Sequence, residues 1–293
     1  MKELLKTGYR QGVRILSHQL PKVALFHASL LLRKLGLGLK NVSAPAAVQR
    51  VADFLFYNLR HMRPGLVRTR VRGEQFFIQL NDPCQYDLVL GIHEPEVAEF
   101  IESELRNGMT FVDVGPNVGY YTLLGARRVG TSGKVIALEP DPEVLAILRK
   151  NIAINLLSNV QVVHGAASRT CGQARLGRAR SSSYSTGLYC EDAANWIEVP
   201  RYSLDSVIGR LNVSRVDLIK LDVEGAELEV IEGMSEILRS DRPKLIMELH
   251  GQLDGPGAHR AVQKLKRAGY AVRYISGSHI VGEPNLTQSG GVE

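Results

Sequence analysis

The chain has 293 residues, 44% of them apolar and 23% charged, which is the balance of a folded protein and excludes a disordered or collagen-like one. That length suits one large α/β domain with an appendage, or two modest domains. Cys84, Cys171 and Cys190 are far apart, with no CxxC pair and no histidine at metal-ligand spacing. Neither a disulfide framework nor a zinc site is expected, no metal is expected elsewhere, and a reducing, cytoplasmic compartment is the default.

The net charge of +6 is unevenly spread: residues 1–80 carry fourteen lysines and arginines against three acids, the remainder twenty-two against twenty-seven. Such a basic segment suits an anionic surface, whether membrane headgroups, nucleic acid or an acidic partner. The most apolar early stretch, KVALFHASLLLRK, contains His27 and falls short of the roughly 20 apolar residues of a membrane span. Neither a span nor a secretory signal is expected.

In chain order, Leu4, Leu5, Tyr9, Val13, Leu16 and Leu20 recur at helical spacing, Pro21 interrupts, and a second basic helix runs to about Leu35. GLGLKNVSAP reads as a linker and Ala46–His61 as a helix. LVRTRVRGEQFFIQL alternates about Gly73-Glu74, a β-hairpin. Residues 1–80 thus form a basic helical and hairpin segment, either a cap or a peripheral attachment to the inner membrane surface through residues 1–40. From residue 81 the pattern changes. PEVAEFIESEL is a short helix, after which TFVDVG, KVIALEP, NVQVVHGA, VDLIKLDVEG and PKLIMELH read as strands. They are separated by helices such as YYTLLGARRV, PEVLAILRKNIAINL and AELEVIEGMSEILRS. A further helix, GAHRAVQKLKRAGY, precedes the closing strands AVRYIS and HIVGE. This alternation predicts a Rossmann-like, doubly wound, mostly parallel sheet whose last strand is antiparallel. The Ser-, Arg- and Gly-rich stretch Arg169–Trp196 interrupts it as an inserted hairpin or a mobile loop. Within it, Trp196, Tyr184 and Tyr189 line an acceptor pocket or pack a hairpin. The basic run RLGRARSSSY lacks the interleaved aromatics of a nucleic-acid platform.

The strongest motif is FVDVGPNVGYYT. A strand ends at Asp113-Val114, a tight turn runs from Gly115 through Asn117 to Gly119, and a helix begins; the carboxyl end of such a strand is where open α/β sheets bind ligands. Two glycines four apart are not the GxGxxG of dinucleotide enzymes. Asp113 beside the turn would repel a pyrophosphate and attract a cationic amine. In VIALEPDP, Glu139 ends the next strand, the place of an acid that binds both ribose hydroxyls. One ligand satisfies both acids, an adenosine with an amino-acid tail, which describes S-adenosylmethionine. Adenine is expected against the small residues around Ala166.

The stretch from Gln85 to Ile275 resembles the FkbM-type methyltransferases. The resemblance rests on EPEVAEFIESELRNGMTFVDVGPNVGYYTLLGA, GKVIALEPDPEVLAILRKNIAIN and VDLIKLDVEGAELEVIEGM followed by PKLIMELH, with IKLDVEGAE the most family-specific piece. Pro116 stands where the family most often has alanine, which removes one backbone N–H. The resemblance implies a class I methyltransferase fold over residues 81–293. It also implies methyl transfer from S-adenosylmethionine, usually to a hydroxyl of a sugar, lipid or secondary metabolite. The runner-up is a catalytically silent binding protein of the same fold, attached through its basic N-terminus. Absence of a (D/N)PP(Y/F) signature argues against a nucleic-acid acceptor.

For the acceptor side, the strand VDLIKLDVEG stops at Asp222, followed by Glu224, and the next strand ends at Glu248 and His250. Asp222, Glu224 and His250 are the candidate catalytic residues. His250 is the expected base on its ordinary imidazole pKa of roughly 6.5. Glu227 reads as a helix N-terminal acid, and Lys220 as either a partner of a nearby acid or an outward-facing residue.

Overall fold

The computed structural model describes residues 66–79, 82, 85, 87–88, 93–179, 186–187, 193–250 and 256–285. The basic helices expected over residues 1–61, with Tyr184 and Tyr189, lie outside the described residues. Two compact units divide the chain, Met1–His93 and Glu94–Glu293. Among the described residues no helix is long and apolar enough to cross a membrane.

In the first unit, β1 (Leu66–Val71) and β2 (Glu74–Gln79) form the expected hairpin. Its turn is Arg72-Gly73, one residue earlier than the sequence suggests. Both residues have positive φ, 48° and 90°, as a two-residue turn matched to strand twist requires.

The second unit is a seven-stranded sheet built from α1 (Pro95–Glu104), β3 (Thr110–Val114), α2 (Tyr120–Val129), β4 (Lys134–Glu139), α3 (Pro142–Ile154), β5 (Val160–His164), β10 (Leu218–Leu221), β11 (Lys244–Glu248), α7 (Pro256–Arg267), β12 (Tyr270–Tyr274) and β13 (His279–Pro284). The strand order is β12-β13-β11-β10-β3-β4-β5. The five strands from β5 to β11 are parallel, and β13 lies antiparallel between β11 and β12. Every residue of β3 and β10 is buried, as strands covered on both faces by helices must be. The order reverses between β3 and β10, so the chain leaves these neighbours in opposite directions and opens a crevice at their carboxyl ends.

Arg169–Trp196 contributes to a separate four-stranded sheet, order β6-β9-β7-β8, from β6 (Ala166–Ala167), β7 (Gly172–Ala179), β8 (Thr186–Gly187) and β9 (Ala193–Tyr202). It is an inserted antiparallel hairpin, β7 on β9, rather than a loop. Trp196 stays 43% exposed, with the Arg175 guanidinium 5.2 Å from its ring centroid. The chain returns to the main sheet through α4 (Leu204–Arg210). The single helix expected over AELEVIEGMSEILRS is two, α5 (Glu227–Glu232) and α6 (Ser235–Ser240). Gly233 is the C-cap between them, where the backbone packs so close to Ser168 that its carbonyl oxygen would be 2.1 Å from any added Cβ.

Candidate active site

The turn after β3 is shaped by close backbone approach. Gly115 has φ +72°, and a Cβ there would lie 1.8 Å from the Asp222 carbonyl oxygen, so the tips of β3 and β10 can meet only through a glycine. Asn117 also takes a positive φ, 52°. Gly119, φ 96°, caps α2 against Leu148.

Glu139 is 4% exposed. Its two oxygens accept from the backbone N–H groups of Asn117 (3.2 Å) and Asp141 (2.9 Å), which ties the β3 turn to the β4 tip. Burial pushes its carboxyl up to about 8 despite those two donors.

A cleft opens where these tips meet. Gly115, Asn117, Glu139, Ala166, Asp222 and Glu224 border it. Leu138, Val144 and Leu176 supply apolar wall. S-adenosylmethionine fits the donor set. The Asn117 side-chain oxygen is buried with no hydrogen-bond partner, which leaves an acceptor for a cationic amine. Glu139 and Ala166 border the same cleft, a carboxylate at one strand tip and a small side chain beyond it.

Asp113, expected at that amine, does not border the cleft. It is completely buried, accepts from the Thr122 hydroxyl at 2.6 Å and faces Lys220 Nζ at 3.9 Å. The cause is register: Asp113 and Lys220 pair across β3 and β10, inside the sheet and short of its rim. Lys220 is an inward-facing cation. It donates to the Gly115 carbonyl (3.2 Å) and to Asp222 Oδ2 (3.1 Å). Burial works against its charge, but Asp222 and Asp113 outweigh that and raise its pKa above the usual lysine value.

On the acceptor side, Asp222, Glu224 and His250 come together. His250 Nε2 lies 3.6 Å from Asp222 Oδ1 and 3.5 Å from Glu224 Oε2. His250 is not an ordinary imidazole. Burial disfavours its charge, yet the Glu227 hydrogen bond and the surrounding carboxylates lift it to about 9, which corrects the expectation of a free base near neutrality. Burial also raises Glu224 and Glu248. Glu227, read from the sequence as a helix-capping acid, is buried and bonds His250 Nδ1 at 2.8 Å. Sequence reasoning missed Glu94 and His279, 3.5 Å apart in a second acid–histidine group with Glu248. The β11–β13 pairing, which sets Glu248 opposite His279, was the one signal for them, and it needs the fold.

The Methyltransferase FkbM domain profile matches residues 113–272, more than half of the 293 residues. The chain belongs to the FkbM methyltransferase family. Its fold is that of the class I S-adenosylmethionine-dependent methyltransferases, and S-adenosylmethionine is its cofactor. Among similar proteins, Methyltransferase 1 of Beauveria bassiana is 28% identical over 151 residues, 43% of this chain and 58% of its own length. Hexuronic acid methyltransferase AglP of Haloferax volcanii is 24% identical over 173 residues, 59% of this chain and 69% of that protein. The match therefore spans less than two thirds of the Beauveria protein. A solved FkbM methyltransferase from Methylobacillus flagellatus aligns with a TM-score of 0.43 and 16% identity, covering 81% of this chain and 60% of that one.

Proposed function

We propose that the chain transfers a methyl group from S-adenosylmethionine to a hydroxyl of a sugar, glycolipid or secondary metabolite. One observation carries this reading: a donor cleft bordered by Asn117 and Glu139 shares its wall with Asp222 and Glu224, so a donor site and an acid-lined acceptor rim are continuous. The relative named for hexuronic acid methylation supports a hydroxylated acceptor.

In this reading Gly115, Asn117, Glu139 and Ala166 hold the donor, with Gly119 setting the helix behind the turn and Asp113 supporting from within. S-adenosylmethionine supplies an electrophilic methyl carbon whose bond electrons stay with sulfur as the acceptor oxygen takes the methyl. Asp222 and Glu224 orient the acceptor hydroxyl for an in-line approach and accept its proton. His250 does not border the cleft; it fixes those carboxylates from behind.

The test is twofold. Calorimetric titration with S-adenosylhomocysteine should show saturable binding, and radiolabelled methyl donor should label a hydroxylated fraction of metabolite or glycolipid extracts. Binding without labelling of any acceptor favours the silent binding protein; absence of both binding and labelling refutes a working donor site.

A further inference from the structure

The rim beside the donor cleft gathers four carboxylates, Asp222, Glu224, Glu227 and Glu248, around the single imidazole of His250. Glu227, whose side chain is 4% exposed, holds His250 Nδ1 at 2.8 Å and so fixes both the ring and its tautomer. Nε2 is thereby aimed the other way. It stands 3.5 Å from Glu224 Oε2, 3.6 Å from Asp222 Oδ1 and 3.6 Å from Glu248 Oε2.

Those distances are nearly equal, and each exceeds the roughly 2.7–3.2 Å of a good N–H···O bond. They match something else. Ligand atoms held about 2.0–2.2 Å from a common ion stand roughly 3.0–3.6 Å from one another. Ligand atoms of Asp222, Glu224 and His250 all fall within 4.8 Å of each other, and a buried carboxylate on the far ring nitrogen is the usual support of a metal-bound histidine. The neighbouring group of Glu94, Glu248 and His279 differs. There Tyr121 donates its hydroxyl to Glu94 at 2.7 Å and Ser278 donates to Glu248 at 3.1 Å, whereas in the first group Lys220 takes Asp222 Oδ2 and it is Oδ1 that faces His250.

We propose that Asp222, Glu224 and His250 bind one divalent cation, with Glu248 beside it and Glu227 as its outer-sphere anchor. One imidazole with carboxylates suits Mn²⁺, Fe²⁺ or Zn²⁺ better than Ca²⁺. The site stands on its own geometry; only its purpose rests on the methyl transfer proposed above, in which the ion, with Asp222 and Glu224 as its ligands, would hold the acceptor hydroxyl in their place and make it more acidic, the proton passing to Glu248 beside it. The sequence hides such a site because its ligands come from two strand tips, and only the parallel pairing of β10 with β11 brings them together.

Mn²⁺ titrated into the full chain, followed by loss of the free-ion paramagnetic resonance signal, tests this, with S-adenosylhomocysteine affinity measured on the same samples. The expected result is one saturable Mn²⁺ per chain. Glu224→Gln and His250→Gln should each weaken it at least about tenfold, and Glu227→Gln by roughly 10- to 100-fold. Glu104→Gln, on α1 beside Lys244, should leave it unchanged. Wild-type chain that binds S-adenosylhomocysteine but no Mn²⁺, or variants that hold Mn²⁺ as wild type does, overturns the cation site and leaves the donor site standing. Mn²⁺ binding without S-adenosylhomocysteine binding supports the cation site and counts against methyl transfer.

Discussion

Lys220 Nζ, on a side chain only 5% exposed, lies 3.1 Å from Asp222 Oδ2, so a cation inside the sheet anchors an acid at its rim. The same ammonium reaches the Gly115 carbonyl and faces Asp113, which joins donor turn and acceptor wall through one side chain. Removing one member of a buried pair leaves the other uncompensated, at a cost of about 3–5 kcal/mol. Lys220→Met should therefore lower the thermal midpoint sharply, because Asp113 and Asp222 lose their common partner. Asp113→Asn keeps the shape and the Thr122 contact. It should cost less, and since Asp113 does not border the cleft, its effect on S-adenosylhomocysteine affinity should track its effect on stability. An affinity loss in Asp113→Asn with unchanged melting would return the amine contact to Asp113.

Glu139 makes stability pH-dependent. Burial raises its carboxyl from 4.5 to about 8, so the folded chain holds this proton more tightly than the unfolded chain does. The contribution is complete below pH 4.5, declines as pH rises toward 8 and is level above it. Unliganded wild type should thus lose stability between pH 5 and 8, at most about 1.4 kcal/mol per pH unit, and Glu139→Gln should flatten that slope in melts across the range. The same variant should weaken S-adenosylhomocysteine by about 2- to 10-fold near neutral pH, the loss of one hydrogen bond to a neutral carboxyl of ~0.5–1.5 kcal/mol. A wild-type slope that survives in Glu139→Gln would assign it to another group.

The parallel core was legible because its strands are short apolar runs ended by Asp113, Glu139 and Asp222, each followed by turn residues, and that punctuation is local. The antiparallel β13 was legible from the short Gly-Ser segment before it. What was illegible depends on register and side-chain direction. Asp113 and Glu139 look alike in sequence, as acids at strand tips, yet Asp113 lies opposite Ala137, two residues short of Glu139, so Asp113 stays inside against Lys220 while Glu139 reaches the cleft. Glu227 satisfies every local criterion for a capping acid, and only the position of His250, twenty-three residues on, shows it serving another residue. At Gly233, where one helix gives way to the next, the backbone packs against Ser168 too closely for a side chain, a contact that no helical periodicity encodes.

Gly115 tests how closely the two strand tips must meet. An added methyl would sit 1.8 Å from a backbone carbonyl, in a left-handed conformation, and backbone cannot swing aside as a side-chain end can. Gly115→Ala should cost ~2–4 kcal/mol from overpacking and strain together, and should abolish S-adenosylhomocysteine binding by moving Asp222. Gly209, within α4 and with nothing within 4 Å of an added Cβ, is the control. Gly209→Ala should be neutral or stabilise by about 0.5–1 kcal/mol through helix propensity. Equal melting of the two variants would mean that the tips are freer to part than their contact implies.

Arg178 fastens the inserted sheet to the donor site. From β7 its Nε and Nη2 each donate at 2.8 Å to the two oxygens of Asp141, and Nη1 donates at 2.9 Å to Glu143. Asp141 is the N-cap of α3 and also accepts from the backbone N–H groups of Glu143 and Val144. The guanidinium thus reads a carboxylate that the helix start already holds in place, the arrangement in which a two-point contact is strongest. Leu176, two residues away on β7, borders the cleft. Arg178→Ala should cost ~1–3 kcal/mol and raise amide exchange across residues 172–179 and 193–202 before it does so in β3 or β4. Through Leu176 it should also weaken S-adenosylhomocysteine several-fold. Glu143→Ala removes only the partner that is 64% exposed and should change little, since exposed ion pairs contribute ~0–1 kcal/mol. Unchanged exchange in the inserted sheet of Arg178→Ala would show that β9 alone holds it against the donor site.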